Sequence, residues 1–133
     1  MRQFSLEIVT PDGVMWKGDA ESLLVRTHDG DVEILAGHAD YLASVATGRA
    51  RIITGGTERF ASTQGGFLSV TREGVKLVAI TFEFAENIDL ERAKRARERA
   101  EEAISRAKND RDIVLAKAKL KRAISRINVA EMK

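Results

Sequence analysis

The stretch "NIDLERAKRARERA", Asn87 to Ala100, is where the chain changes rhythm. Before it, apolar residues alternate with polar ones. From it onward Ala93, Ala96, Ala100, Ala103 and Ala107 recur at intervals of three and four, which lines them along one face of a helix. Ile113, Ala116, Leu120, Ala123, Ile127 and Ala130 continue that spacing, and the polar "NDRD" at Asn109 to Asp112 ends one helix and starts the next. The expectation for 85–133 is an antiparallel helical hairpin with a coiled-coil-like seam. Asp89 suits the N-cap of the first helix, with Ile88 before it as the apolar half of a hydrophobic staple.

The first helix gives its seam five alanines, and a buried methyl is worth roughly 0.8 kcal/mol. Small side chains let the helices approach closely but bury little per turn. A marginally held hairpin, able to open into extended helices, is the expected consequence.

Working back from Asn87, residues 1–84 read as strands. "FSLEIV" alternates Phe4, Leu6 and Ile8 with polar neighbours, and "TPDG" at Thr10 to Gly13 is a turn. Further strand candidates are Val14 to Lys17, Ala20 to Thr27, Val32 to Leu35, Leu42 to Val45, Ala50 to Thr54, Glu58 to Thr63, Gly66 to Thr71 and Val75 to Ala79. Gly55-Gly56 between two β-rich runs predicts a hairpin. Short strands at this spacing point to a β-sandwich or barrel, so the whole is an α+β chain.

Composition narrows the chemistry. The 133 residues suit one ordinary domain, and 44% apolar with 32% charged residues suits a globular protein with a long exposed element. No run of eighteen apolar residues predicts a membrane span, and "MRQFSLEIV" does not read as a signal peptide. With no Cys, disulfides, thiolate nucleophiles and Cys-based zinc sites are excluded together. His28 and His38 lack metal-ligand spacing, and "DGDVE" (Asp29 to Glu33) lacks the length and central Gly of a calcium loop. No catalytic constellation stands out, so neither an enzyme nor a required cofactor or metal is expected.

Charge is unevenly shared. Met1 to Phe84 carry 8 Lys/Arg against 11 Asp/Glu, whereas Ala85 to Lys133 carry 14 against 9. A basic half invites comparison with nucleic-acid binders. Its charges, however, are interleaved with Glu and Asp, and no aromatic residue follows Ala85 for bases to stack on. No nucleic-acid partner is expected.

The arginines favour a smaller anion. Arg92, Arg95 and Arg99 share roughly one helix face, and Arg122 and Arg126 are an i, i+4 pair on the second helix. With the turn near residue 110, Arg92, Arg99, Arg122 and Arg126 are expected to gather at the open end of the hairpin. Like charges meeting there repel unless an anion or carboxylates separate them, and guanidinium suits phosphate oxygens. Glu91, Glu98 and Glu101 are the local carboxylates that could neutralise them instead. No G-x-x-x-x-G-K-[ST] loop exists, so binding without hydrolysis is the expectation.

The order of "VTPDG", "GDVEILAGHADY", "GGFLSV", "IDLERA" and "RAISRINVAEMK" resembles the epsilon subunit family of F-type ATP synthases over essentially the whole chain. The resemblance implies a flattened antiparallel β-sandwich of about ten strands (1–84) followed by the antiparallel helical hairpin (85–133). It implies a non-catalytic rotor-stalk subunit at the cytoplasmic face of the cell membrane, peripheral and without membrane insertion. Its sandwich would join the gamma subunit to the c-ring of a proton- or sodium-translocating enzyme. Its helices would restrain ATP hydrolysis by reaching the alpha/beta catalytic head.

The same resemblance implies residue roles. Asp31, His38, Asp40 and Tyr41 fall in the segment near the gamma and c-ring contacts. There Glu33, Ala36 and Asp40 stand where the family commonly has Gly, Pro and Pro. Ile88, Asp89, Arg92 and Ala93 match its I-D-x-x-R-A signature for ATP, with Glu83, Arg99, Arg122 and Arg126 as further contributors. ATP, as a regulatory ligand, would favour the folded hairpin. Without it, Arg111, Lys117, Lys119, Lys121 and Arg122 would meet an acidic segment of the head. The competing reading of these residues is a stand-alone nucleotide-sensing module whose hairpin opens to another acidic partner.

Overall fold

A computed structural model of the protein describes residues 2–132. Met1 and Lys133, the outermost residues of the two expected domains, lie outside the described residues. Nine strands come first: β1 (Phe4–Thr10), β2 (Gly13–Ala20), β3 (Ser22–Thr27), β4 (Gly30–Leu35), β5 (Tyr41–Thr54), β6 (Thr57–Gln64), β7 (Phe67–Thr71), β8 (Gly74–Val78) and β9 (Thr81–Phe84). A 3-10 turn (Ala85–Asn87) leads into α1 (Leu90–Arg106) and α2 (Asp110–Ala130).

The strands form two layers joined through β5. Its first residues, Tyr41 to Ser44, pair with β7 in the layer β2-β1-β8-β7-β5. Its later residues, Gly48 to Thr54, pair with β6, and β3 lies on their other side, giving the layer β4-β3-β5-β6-β9. Alternation then decides the core. Leu6, Ile8, Leu23, Val25, Ile34, Val45, Ile52, Leu68 and Leu77 are fully buried between the layers, as period-two patterning requires.

The sandwich expected from the sequence is present, with nine described strands where about ten were implied. Two candidates, Leu42 to Val45 and Ala50 to Thr54, are one fourteen-residue strand that serves both layers. Ala20 to Thr27 is two strands, because the chain crosses between layers at Glu21. There the Glu21 N–H donates to the Ile53 carbonyl at 2.8 Å, and its carboxylate accepts from the Gly56 N–H at 2.8 Å. The antiparallel expectation needs one correction. β1 and β8 run parallel, Leu6 opposite Val75 and Ile8 opposite Leu77, because β8 closes the sheet against the first strand of the chain.

The hairpin forms as its spacing predicts. Asp89 caps α1 by accepting from the Arg92 N–H at 3.0 Å, and Asn109 caps α2 by accepting from the Asp112 N–H at 2.9 Å. Ala93, Ala100, Ala116, Ala123, Ile127 and Ala130 are buried. Ala96, Ala107, Ile113 and Leu120 are half-buried, while Ala103 is exposed. A second small core, Ala85, Ile88, Val129 and Ala130 with Phe60 and Leu90 against it, fastens the hairpin to the outer face of the second layer.

Candidate functional site

The site begins at β9. Phe82 and Phe84 turn into the core, so Glu83 between them points outward. Antiparallel register sets Ser62 of β6 directly opposite Glu83, giving two polar groups side by side on one face. The consecutive residues Ser125 and Arg126 of α2 meet them. The two hydroxyls lie 3.0 Å apart, and Arg126 donates to the Glu83 carboxylate through Nε at 2.9 Å and Nη2 at 3.2 Å. This two-pronged contact is the geometry guanidinium gives a carboxylate. Both partners are about a third exposed or less, so it fixes orientation as well as adding attraction.

Beside this contact, a cleft of about 550 Å³ opens between the hairpin and the sandwich. Lys119, Arg122 and Arg126 of α2 line it, with Ala96 of α1. Asp12, Gln64, Thr81 and Glu83 face them from the sandwich, beside the apolar Met15 and Ile80. Three cations against two carboxylates leave the cleft positive, and its volume lies within the range typical of small-molecule sites.

The structure brings some expected ATP-site residues together and leaves others apart. Glu83, Arg122 and Arg126 line the cleft. Ile88 is buried in the small core, and Ala93 is buried in the helical seam. Asp89 is occupied as the helix cap. The expected gathering of four arginines is only half formed. Arg92 and Arg99 share the helix face of Ala96, four residues before and three after it, but both are exposed and neither lines the cleft. Three cations already crowd that space, so further ones gain more from staying in water.

The residues expected to meet the catalytic head are spread along α2. Arg111 and Lys117 are exposed, Lys119 and Arg122 line the cleft, and Lys121 looks to the opposite flank. The candidate gamma and c-ring residues lie on the sandwich. Asp31 accepts from Arg26 Nε at 2.8 Å, with Arg49 Nη2 at 4.0 Å, so it is already engaged by two guanidiniums. His38 directs Nδ1 to the Ala39 carbonyl at 2.8 Å and stands edge-on to Tyr41, 5.8 Å between ring centres. His38 and Asp40 line a separate cleft of about 480 Å³ with Arg2 and Arg72.

Ser62, Ser125 and Phe60, which dock the hairpin, had no signal in spacing or charge. Only the β6–β9 register reveals them. The "TFEF" of β9 does alternate apolar with polar residues, but four residues are too few to mark a strand in sequence.

Comparison with known proteins agrees with the architecture. Residues 3–85 match the family described as the beta-sandwich domain of the ATP synthase delta/epsilon chain, and residues 86–131 match its long alpha-helix domain. The chain is 38% identical over 130 residues to the ATP synthase epsilon chain of Bacillus pumilus, covering 98% of each. It is 35% identical over 131 residues to the sodium ion specific ATP synthase epsilon chain of Propionigenium modestum, covering 98% of this chain and 96% of that one. Among solved structures, a chain of the Euglena gracilis mitochondrial ATP synthase shares the fold. Its TM-score is 0.83 at 22% identity, over 98% of this chain and 82% of that chain. Family matches thus span both the sandwich and the hairpin, and the chain belongs to the ATP synthase delta/epsilon family as an epsilon subunit of the F-type enzyme.

Proposed function

We propose that the chain is a non-catalytic central-stalk subunit whose sandwich joins the gamma subunit to the c-ring and whose hairpin restrains ATP hydrolysis by the alpha/beta head. ATP is its regulatory ligand and favours the docked hairpin. The observation that carries the switch is the cleft itself. Its walls belong to two bodies, the sandwich on one side and the hairpin on the other, so the site is complete only while the hairpin is docked. Arg122, Arg126 and Lys119 supply cations for a triphosphate. Arg92 and Arg99, on the face of Ala96, are placed to swing in once an anion relieves the repulsion. Asp89, with Ile88 and Ala93 fixing the helix start around it, stands at the adenine end in this reading.

Release of the hairpin uncovers Lys119, Lys121 and Arg122 on the two flanks of α2, which join the already exposed Arg111 and Lys117 in offering the helix to an acidic segment of the head. Val114 and Leu115, 64% and 51% exposed, add apolar surface to the same helix. On the sandwich, register places Val14, Val9, Val78 and Phe67 in one row across the outside of the first layer. Such an apolar row on four neighbouring strands suits docking to gamma. Asp31, His38, Asp40 and Tyr41 then serve the gamma and c-ring contacts. The subunit sits peripherally at the cytoplasmic face of the cell membrane. No helix among the described residues is long and apolar enough to cross it.

Two measurements test the reading. Calorimetry with ATP on the purified chain should give one saturable heat that Arg122→Gln weakens about tenfold, the loss of one charge-assisted hydrogen bond. Absence of heat at millimolar ATP removes the ligand and leaves the stalk role. Hydrolysis by the reconstituted complex should rise when residues after Asn87 are deleted, and an unchanged rate would reduce the hairpin to a structural element.

A further inference from the structure

α2 has a second cleft on its other flank, of about 540 Å³, between the helix and the β3–β4 turn and the middle of β5. Arg26, Arg49 and Lys121 line it, with His28 and Asn128, and no Asp or Glu does. The first cleft, by contrast, sets two carboxylates against its three cations. The carboxylate that pairs with these guanidiniums is Asp31, shared between Arg26 and Arg49. Lys121 has no ion pair among the described residues. Two positive charges are therefore left over, more than in the first cleft.

The arrangement is held by the backbone. Pairing of β3 with β5 slips between Val25 and Thr27, which turns Arg26 onto β5. It passes over Gly48, where an added Cβ would lie 2.7 Å from the Arg26 Cβ, so only glycine leaves room for that stem. The loop bearing His28 is pinned by the Thr27 hydroxyl, which donates to the Gly30 carbonyl at 2.8 Å and accepts from the Asp29 N–H at 3.1 Å.

We propose that this cleft is a second anion site, taking a small phosphate-bearing ligand such as a polyphosphate or a nucleotide. Two planar guanidinium side chains and an ammonium side chain lining one cleft without a lining carboxylate are donors matched to phosphate oxygens. The volume admits a ligand of nucleotide size. Because α2 forms one wall, occupancy here favours the docked hairpin from the flank opposite the first cleft. The proposal stands whether or not the first cleft takes ATP.

The test is a titration of the full chain with tripolyphosphate, followed by backbone amide resonances. Saturable shifts are expected at Thr47, Gly48 and Asn128. Lys121→Gln should weaken the response at those amides about tenfold and leave that at Gln64 and Glu83 unchanged. Arg49→Gln should act as Lys121→Gln does. Arg122→Gln should spare the second cleft. Lys121 is on an exposed helical face, so its variant keeps the fold. Lys117→Gln controls for loose attraction of polyanions, since Lys117 lines neither cleft. Equal weakening by Lys117→Gln would overturn the proposal. So would the lack of saturable shifts at Gly48 and Asn128 at ~10 mM tripolyphosphate, where even a millimolar site fills. ATP titrated in the same way reports which flank the nucleotide prefers.

Discussion

Arg126 is where docking and the proposed ATP site meet, because its guanidinium holds Glu83 while lining the cleft. Ser125 next to it docks through its hydroxyl contact with Ser62 and does not line that cleft, but the one on the opposite flank. The two roles therefore separate by substitution. Ser125→Ala should weaken hairpin docking by about 1 kcal/mol, the worth of one hydrogen bond, and spare the cations of the cleft. Arg126→Ala removes two charge-assisted bonds to Glu83, so it should weaken docking by more, roughly 2 kcal/mol, and also lower ATP affinity. Amide exchange along α2 measures the first effect and calorimetry the second. Gly66 makes an independent claim about the sandwich. It has φ +90°, and a Cβ there would lie 1.7 Å from the Val78 carbonyl oxygen. Gly66→Ala should cost roughly 3 kcal/mol or more in urea unfolding, from backbone strain plus a displaced strand.

At the scale of elements, α2 meets α1 along the length of the hairpin but is fastened to the sandwich over only a few residues. Its seam with α1 is mostly alanine, whereas Val129, 1% exposed, and Ala130 pack with Ile88 against Phe60. Val129→Ala should cost about 2 kcal/mol of docking through lost burial and an unfilled space. Limited proteolysis would show α2 cut sooner while β1 to β9 stay resistant. Much of this was legible in sequence. The alanine spacing, Asp89 and Asn109 located the helices, and alternation located most strands and their core faces. What stayed hidden depends on contacts distant in sequence. The parallel β1–β8 pair, the sharing of β5 between layers and the matching of Ser62 and Glu83 with Ser125 and Arg126 all arise from strand order. The four-residue β9 was too short to stand out between a strand and a helix. Arg122 and Arg126 were marked by charge and spacing and Glu83 by the family resemblance alone, and the three line one cleft. Arg92 and Arg99 were marked in the same way, yet solvation keeps them out of a cleft that already holds three cations.

The whole molecule is a firm sandwich and a lightly fastened hairpin, with a positive cleft on each flank of α2. A ligand that requires both bodies shifts the equilibrium by RT ln(1 + [L]/Kd), about 2.7 kcal/mol at a hundredfold excess over Kd. That stabilisation has to appear in α2 and not in the core strands, whose protection already reflects the sandwich. Hydrogen exchange of α2 amides, with and without saturating ATP, tests this directly. Exchange from Lys119 to Ala130 should slow about a hundredfold while Leu6 and Leu77 stay unchanged, and the slowing should shrink in Arg126→Ala. Equal α2 exchange with and without bound ATP would contradict the claim that the ligand holds the hairpin down.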